Sequence, residues 1–146
     1  MTTRTKILIF DDHADLLDAL TIFLEEESFE VCTVVSTELF RTELLRFEPD
    51  IIILDVYING NINGREICKI IKADPHTRHI PIILMSASVS ALKNFEECSA
   101  DEILSKPFDL SDLLQKIHHQ AKFNIEKVIA ENRTESVRLV SLMSKK

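Results

Sequence analysis

The sequence predicts a doubly wound α/β domain in which five parallel strands alternate with helices as (βα)5. Five short apolar runs are separated by segments whose apolar residues recur at helical spacing. The third and fourth runs are apolar without alternation, which is typical of strands that are covered on both faces. The predicted strands are Lys6–Phe10, Val31–Val35, Ile51–Leu54, Ile80–Met85 and Glu102–Leu104.

Apolar stripes at helical spacing predict the connecting helices. The first three stripes are Leu16, Leu17, Leu20, Phe23 and Leu24, then Leu39, Phe40, Leu44 and Leu45, then Ile67, Ile70 and Ile71. The last helix is expected to start after an N-cap at Asp109, with Asp112 in its first turn and Phe108 packed on Leu113. Its inner face is predicted to contain Leu110, Leu113, Leu114, Ile117 and Ala121.

The alternation of strands and helices ends near Lys122. Residues 5–122 are therefore expected to form the domain. Residues 123–146 keep some helical periodicity and are expected to be an extension that is partly helical or flexible, too small to be an output domain.

Composition and charge limit the classes of function. The chain has 146 residues, of which 45% are hydrophobic and 28% charged, a balance typical of one globular domain. No apolar run approaches the ~20 residues of a membrane span, and no hydrophobic signal region is seen. We therefore expect a cytoplasmic protein that does not associate with a membrane. The net charge of −7 argues against direct nucleic-acid binding, because phosphate backbones attract basic surfaces.

Cysteine and histidine usage argues against a disulfide framework or a zinc site. The three cysteines, Cys32, Cys68 and Cys98, include no CxxC pair and are expected to be buried thiols. The histidines lack the spacing of metal ligands and are expected at the surface; they are His13, His76, His79, His118 and His119.

Four separated fragments place polar side chains directly after predicted strands. Asp11 and Asp12 follow the first strand, Asp55 the third, Ser86 the fourth and Lys106 the fifth. The carboxyl ends of parallel strands meet at one edge of an open α/β sheet, and ligands bind there. These residues are therefore expected to form one site. Three carboxylates, a hydroxyl and an ammonium suit a divalent cation and a phosphoryl group.

The residue types indicate a specific chemistry. Asp11, Asp12 and Asp55 would repel one another unless a cation lay between them, and Mg²⁺ best suits an all-oxygen site that leaves room for water. Asp55 can attack phosphorus and form an acyl phosphate, with Lys106 as a point charge on a phosphoryl oxygen. Ser86 can donate a hydrogen bond to that group. Taken singly, each residue also has an ordinary role, such as an acid at a helix N-terminus or a serine N-cap.

Together these motifs resemble the receiver domain of two-component response regulators. The resemblance covers about residues 5–122, and the matching stretches are Lys6–Asp12, Pro49–Asp55, Gly64–Ile67, Ile80–Ala87 and Ala100–Phe108. It implies a flavodoxin-like parallel sheet with strand order 2-1-3-4-5. It also implies a phosphorelay signalling module that is not an enzyme beyond its own phosphorylation and autodephosphorylation.

The resemblance implies roles for the acidic residues. Asp55 would accept a phosphoryl group from a sensor histidine kinase or phosphotransfer protein in a Mg²⁺-dependent reaction. Asp12, Asp55 and the backbone carbonyl of Tyr57 would bind Mg²⁺ directly, and Asp11 would act through water.

The resemblance also implies roles for the remaining site residues and for the output. Ser86 and Lys106 would contact phosphoryl oxygens, and the peptide bond between Lys106 and Pro107 would be cis. Phosphorylation would switch binding to a downstream protein partner, with homodimerisation as one form of that output.

Two regions depart from the family pattern. The loop after Asp55 lacks the usual proline and is one residue longer, and its Gly60, Asn61 and Asn63 are expected in left-handed turn conformations. Near the fifth strand, Ile103 stands where many members have Tyr or Phe, and Ser99 where many have Gly. Because Ile103 has no ring, a signal from Ser86 is expected to travel through the backbone of a loop at residues 87–90.

Three other functions share parts of this pattern. A flavodoxin-like cofactor binder needs a first loop that accepts an anionic phosphate, which Asp11 and Asp12 would repel. An aspartate-nucleophile phosphatase needs a second acid two residues after the nucleophile, and that position is Tyr57. A third possibility is a degenerate receiver that is never phosphorylated and works only as a docking module. Phosphate-dependent Mg²⁺ binding would distinguish it from a receiver that accepts a phosphoryl group. A stand-alone receiver and a receiver cut from a larger regulator or hybrid kinase are equally compatible with the sequence.

Overall fold

Five parallel strands form the central sheet of the computed structural model, which describes residues 3–58, 62–122 and 129–130. The sheet strands are β1 (Lys6–Phe10), β2 (Glu30–Val34), β3 (Ile51–Asp55), β6 (Ile82–Ser86) and β7 (Glu102–Ser105). Two short strands between β3 and β6 pair antiparallel as a hairpin that was not predicted, β4 (Tyr57–Ile58) and β5 (Ile62–Asn63). The sheet order is β2-β1-β3-β6-β7, which confirms the predicted 2-1-3-4-5 order of the five sheet strands.

Among the residues that the structure describes, four helices connect successive sheet strands, and a fifth follows β7. They are α1 (Ala14–Glu26), α2 (Thr37–Phe47), α3 (Gly64–Ala73), the single turn α4 (Val89–Leu92) and α5 (residues 110–122). A 3₁₀ turn, Phe95–Cys98, lies between α4 and β7. Residues 89 and 90 were predicted as loop and lie instead in α4. The predicted extension, residues 123–146, lies outside the described residues apart from residues 129–130, which are helical.

The sheet is buried on both faces, as its uninterrupted apolar strands predict. Ile52 and Leu84 belong to the core on the side of α2, α3 and α4, whereas Ile53 and Ile83 belong to the core beneath α1 and α5. Adjacent residues of one strand therefore serve opposite cores, because strand side chains alternate between faces. Helices on both faces leave the strand ends as the place for polar chemistry.

Four residues predicted to face the core are substantially exposed instead: Leu39 (50%), Leu45 (71%), Ile70 (70%) and Leu110 (44%). Phe47 and Cys68 take inward positions on α2 and α3. Leu45 and Ile70 each lie two residues from one of these, which is about 200° around a helix. The inward position of Phe47 and Cys68 therefore turns Leu45 and Ile70 toward solvent.

The cysteines are free thiols, of which Cys68 and Cys98 are buried and Cys32 is only partly buried. The expected burial is therefore correct for two of the three. All five histidines are exposed, as predicted. Within the described part of the chain, no helix is both long and apolar enough for a bilayer span.

Candidate functional site

The sheet gathers the predicted polar residues at the carboxyl ends of its strands. Asp11 follows β1, Asp55 ends β3, Ser86 ends β6 and Lys106 follows β7. Asp11, Asp55 and Ser86 are 0%, 5% and 2% exposed. Three polar groups are thus held away from water at a single edge, beside a lysine that reaches them.

The ammonium of Lys106 lies between two carboxylates. Its Nζ donates to Oδ2 of Asp11 at 2.6 Å and to Oδ2 of Asp55 at 2.5 Å. The backbone N–H of Lys106 donates to the carbonyl oxygen of Ser86 at 2.9 Å, which extends the pairing of β6 with β7 by one residue. The peptide bond to Pro107 is cis, as the resemblance implied. The pairing of β6 with β7 therefore positions the Lys106 side chain toward Asp11 and Asp55.

The second oxygen of each carboxylate is held by a nearby backbone N–H. Oδ1 of Asp55 accepts from the N–H of Tyr57 at 2.8 Å, and Oδ1 of Asp11 accepts from the N–H of His13 at 2.9 Å. Both bonds reach two residues along the chain, as in turns that Asp favours. They orient the carboxylates so that each Oδ2 faces Lys106.

His13 is part of the acidic cluster, which the sequence analysis missed. Its Nδ1 lies 3.1 Å from Oδ1 of Asp11 and 3.2 Å from Oδ1 of Asp12. Ligand atoms of Asp11, Asp12 and His13 lie within 4.8 Å of one another, a spacing that a shared cation can span. Asp55, which was predicted in the metal set, is not in this group, and its Oδ2 contacts Lys106. The only hint of His13 in the sequence is its place directly after two acids.

The pKa values of the two acids that share this ammonium shift in opposite directions, and the interaction between the acids lowers that of Asp11 and raises that of Asp55. Burial raises the pKa of Asp11, but the hydrogen bonds from Lys106 and from the N–H of His13, with the Lys106 charge, outweigh it and hold that pKa below its usual value. Burial also raises the pKa of Asp55, and there Lys106 and the N–H of Tyr57 compensate only in part, so the pKa stays above its usual value. Burial lowers the pKa of Lys106, but both carboxylates raise it further, which keeps the ammonium protonated.

Ser86 retains a proton that it can donate. Its Oγ accepts a hydrogen bond from the N–H of Ser88 at 3.0 Å, and a serine hydroxyl can accept and donate at the same time. Met85, the residue before it, is the register partner of Asp55 across β3 and β6. The hydroxyl is therefore placed at the same edge as the Asp55 carboxylate.

Gly64 closes the loop that follows Asp55. Its N–H donates to the carbonyl oxygen of Val56 at 2.7 Å. A Cβ at this position would lie 2.1 Å from the carbonyl oxygen of Asp55, a distance at which something must move. The absence of a side chain at Gly64 therefore lets α3 start directly against the end of β3.

The predicted conformation of Asn63 is wrong. Asn63 is extended, with φ −99°, and its Oδ1 accepts from the N–H of Arg65 at 2.9 Å as the N-cap of α3. Helix capping requires an extended backbone with a free side-chain oxygen, and this outweighs the turn preference of Asn. Gly60 and Asn61, predicted in left-handed turns, lie outside the described residues.

Ser99 and Ile103, the two residues near β7 that depart from the family pattern, each have a defined structural environment. Ser99 adopts the left-handed region with φ 65°, where glycine is least strained, which gives a physical reason for glycine at this place in relatives. Ile103 is half-buried and packs against the core on the side of α4. Its carbonyl oxygen accepts from Nζ of Lys116 on α5 at 2.6 Å. The backbone of Ile103 thus links β7 to α5.

Comparison with known proteins shows the family. The family model of the response regulator receiver domain matches residues 7–118. The chain belongs to this receiver-domain family. It is 29% identical to the DNA-binding response regulator MtrA of Mycobacterium tuberculosis over 125 residues, which are 84% of this chain and 53% of MtrA. Against the response regulator PleD of Caulobacter vibrioides, identity is 32% over 122 residues, 82% of this chain and 27% of PleD. The receiver chain thus spans about half the length of MtrA and about a quarter of PleD.

Solved structures agree with this membership. The signal receiver domain of a signal transduction histidine kinase from Syntrophus aciditrophicus superposes with a TM-score of 0.73 at 27% identity, over 81% of this chain and 90% of that one. A CheY-like response regulator receiver domain protein from Methanospirillum hungatei gives a TM-score of 0.75 at 23% identity, over 86% and 99% of the two chains. The superposition on the Methanospirillum hungatei protein shows that the two chains share one fold.

Replacing Asp55 with asparagine is expected to raise the melting temperature of the metal-free receiver at pH 7. The pKa of Asp55 is raised in the folded state, so its ionisation costs folding free energy above that pKa, and Asn removes this cost. The gain should shrink as the pH falls through the folded-state pKa and disappear below pH ~3.9, the unfolded-state value, where the carboxyl is protonated in both states. Thermal unfolding in a chelator between pH 3.5 and pH 8 measures it.

Asp11→Asn is the matched control for Asp55→Asn and should have the opposite sign. The pKa of Asp11 is lowered, so its ionised form stabilises the fold above the unfolded-state pKa, and this stability disappears as pH falls through the folded pKa. Asp11→Asn should therefore lower the melting temperature at pH 7. Melting temperatures that change in the same direction in both variants would contradict the opposite pKa shifts of Asp11 and Asp55.

Gly64→Ala is expected to destabilise the receiver by about 1–3 kcal/mol, the usual cost of forcing atoms into a packed site. The added methyl group would meet the carbonyl oxygen of Asp55. Chemical denaturation measures the loss. Glu66→Ala, at an exposed position on the same helix, should change stability by less than about 0.5 kcal/mol. An equally small effect of Gly64→Ala would disprove the close approach.

Proposed function

We propose that Asp55 accepts a phosphoryl group from a sensor histidine kinase or phosphotransfer protein, in a Mg²⁺-dependent reaction that switches binding of a downstream protein partner. The observation that carries this proposal is the protonated Lys106 between the buried carboxylates of Asp11 and Asp55. A structural ion pair needs one acid. A second buried acid on the same ammonium leaves negative charge that a further cation would relieve.

The residues present fit a hard divalent cation. Asp11, Asp12 and Asp55 contribute carboxylate oxygens at one sheet edge, the donor type that Mg²⁺ prefers. Asp12, Asp55 and the backbone carbonyl of Tyr57 would hold the ion, with Asp11 acting through water. When bound, Mg²⁺ neutralises charge on the phosphoryl oxygens during transfer and relieves the repulsion among the carboxylates.

Asp55 supplies the nucleophile in this proposal. Its ionised carboxylate forms a bond to phosphorus while the bond from phosphorus to the donor's imidazole nitrogen breaks, and the nitrogen keeps the electron pair. The N–H of Tyr57 holds Oδ1 of Asp55, so Oδ2 is the oxygen nearest to Lys106. The product is an acyl phosphate on the side chain at the end of β3.

Lys106 and Ser86 would bind the transferred group. Two N–H donors of Lys106 are used by Asp11 and Asp55, and the contact with Asp55 can pass to a phosphoryl oxygen. Ser86 would donate its hydroxyl proton to a second oxygen. Because these contacts differ between the free and phosphorylated forms, they supply the free energy of the switch.

Incubation with acetyl phosphate and Mg²⁺ is expected to add one phosphoryl group at Asp55. The label should be labile to base and to hydroxylamine, as an acyl phosphate is. Intact-protein mass spectrometry measures the incorporation. Asp55→Asn should abolish it, and Asp18→Asn, at an exposed position of α1, should leave it unchanged. Labelling of Asp55→Asn at the wild-type level would rule out this phosphoacceptor.

Mg²⁺ alone is expected to raise the melting temperature of the unphosphorylated receiver. A ligand that binds only the native state stabilises it by RT ln(1 + [L]/Kd), about 2.7 kcal/mol at one hundred times Kd. Asp12→Ala should remove the response, and Asp18→Ala should keep it. Unchanged Mg²⁺ affinity in Asp12→Ala would show that the ion binds elsewhere.

Beryllofluoride with Mg²⁺ is expected to shift the amide NMR signals of residues 86–91 and those around Lys106 most strongly. Ile103 carries no ring to rotate, so the signal should pass through backbone movement next to Ser86. Shifts along α5 should be smaller unless dimerisation follows. A docking module that ignores phosphate would give an essentially unchanged spectrum at saturating beryllofluoride, and that result would favour this alternative.

A further inference from the structure

Arg65 connects the start of α3 to the C-terminal end of α4. Its Nη1 donates to the carbonyl oxygens of Ala91 at 3.2 Å and Lys93 at 2.6 Å, and its Nη2 donates to that of Asn94 at 2.9 Å. Nη2 also lies 3.8 Å from Oε2 of Glu97. The Arg65 side chain is 18% exposed, so most of this contact is shielded from water. One guanidinium thus holds three carbonyls of a distant segment.

The carbonyl of Ala91 belongs to the last turn of α4, where a short helix leaves carbonyls without an intrahelical donor, whereas the carbonyl of Asn94 also accepts from the N–H of Glu97 at 3.0 Å. The helix comprises the four residues Val89–Leu92, and the last four carbonyls of any α-helix lack an intrahelical donor. Asn94 then turns the chain with φ 54°. A guanidinium carries five N–H donors in a rigid planar fork, so it can satisfy several carbonyls at once, which the compact ammonium of lysine does with less geometric order.

The other end of this connection is fixed beside the proposed phosphoacceptor. Gly64 has no room for a Cβ against the carbonyl oxygen of Asp55, and its N–H donates to Val56. The N–H of Arg65 donates to Oδ1 of Asn63 at 2.9 Å. The backbone of Arg65 is therefore held one residue from a close contact with Asp55.

Ser86 holds the opposite end of α4. Its Oγ accepts from the N–H of Ser88, whose carbonyl oxygen accepts from the N–H of Ala91 at 3.2 Å. The hydroxyl oxygens of Ser88 and Ser90 lie 2.9 Å apart. The single turn of α4 is thus held from two directions, by Ser86 before it and by Arg65 after it, and both holds lead back to the same site.

We propose that Arg65 is a positioning residue that carries the response of the Asp55 site to the C-terminal end of α4. The inference rests on the proposed function for the event at Asp55, and it adds a route through Gly64 that does not depend on Ser86. A single helical turn has few internal hydrogen bonds with which to transmit a displacement along its length. The guanidinium of Arg65 instead connects the start of α3 directly to the C-terminal end of α4.

Amide NMR of the full chain tests this route with the wild type, Arg65→Gln and Arg65→Lys. In the wild type, saturating beryllofluoride with Mg²⁺ should shift the signals of Lys93 and Asn94 as well as Ser86. In Arg65→Gln the Ser86 shift should remain, and the shifts at Lys93 and Asn94 should fall at least twofold. Arg65→Lys keeps the charge but not the fork and should behave like Arg65→Gln.

Arg46→Gln is the matched control. Arg46 is also an arginine of a helix, but its partner Glu43 belongs to the same helix α2, so its loss should leave every beryllofluoride response at the wild-type value. Responses at Lys93 and Asn94 that are as large in both Arg65 variants as in the wild type would overturn the proposal. If Arg65→Gln disrupted the whole structure, the response of Ser86 would fall together with the responses of Lys93 and Asn94. In that case the responses of Arg65→Lys test the proposal.

A second measurement separates failure of this route from failure of the proposed function. If beryllofluoride leaves Ser86 unchanged in the wild type, phosphoryl binding at Asp55 is rejected. Asp55→Asn changes the site without any ligand. This substitution should shift the amide signals of Lys93 and Asn94 in the wild-type background but not in the Arg65→Gln background. Equal shifts in both backgrounds, or no shift in either, would overturn the role of Arg65.

Discussion

The hydrogen bonds from one partly buried ammonium to two carboxylates are the interaction on which this site depends. Lys106, Asp11 and Asp55 come from the ends of three different strands, so their contact exists only when the sheet is correctly paired. With Asp12 beside them, three carboxylates and one ammonium carry a formal charge of −3 + 1 = −2. Burial makes such an excess costly, because isolated charges lose their hydration. The site is therefore built with a negative charge that a divalent cation would balance.

The same arrangement connects the proposed chemistry to the surface of the domain. Asp55 is held by Tyr57 on one side and lies against Gly64 on the other, so a change at its carboxylate acts on a closely packed backbone. Ser86 and Arg65 lead from this point to the two ends of α4. A short helix held at both ends by hydrogen bonds from this site can respond to changes there, which suits it to a response with two states.

Much of the fold and of the site membership was predictable from the sequence, for identifiable reasons. The apolar runs of β3 and β6 are typical of strands covered on both faces, and polar residues that follow parallel strands lie at the same edge of the sheet. The hairpin after Asp55 and the fork of Arg65 depend on contacts that no local pattern encodes, and the approach of His13 to the acids was indicated only by its place directly after them. Leu45 and Ile70 were misplaced because an apolar helix with several leucines or isoleucines offers two adjacent faces, and tertiary packing selects one.

The most direct test of the shared ammonium is a carbon-13 NMR titration of the aspartate side-chain carboxyl groups, with and without Mg²⁺. In the metal-free receiver, Asp55 should titrate at a higher pH than Asp11, because burial outweighs its share of Lys106. Mg²⁺ should lower the pKa of Asp55, since a nearby cation favours the ionised form. A pKa of Asp55 at or below that of Asp11, and unmoved by Mg²⁺, would contradict the account.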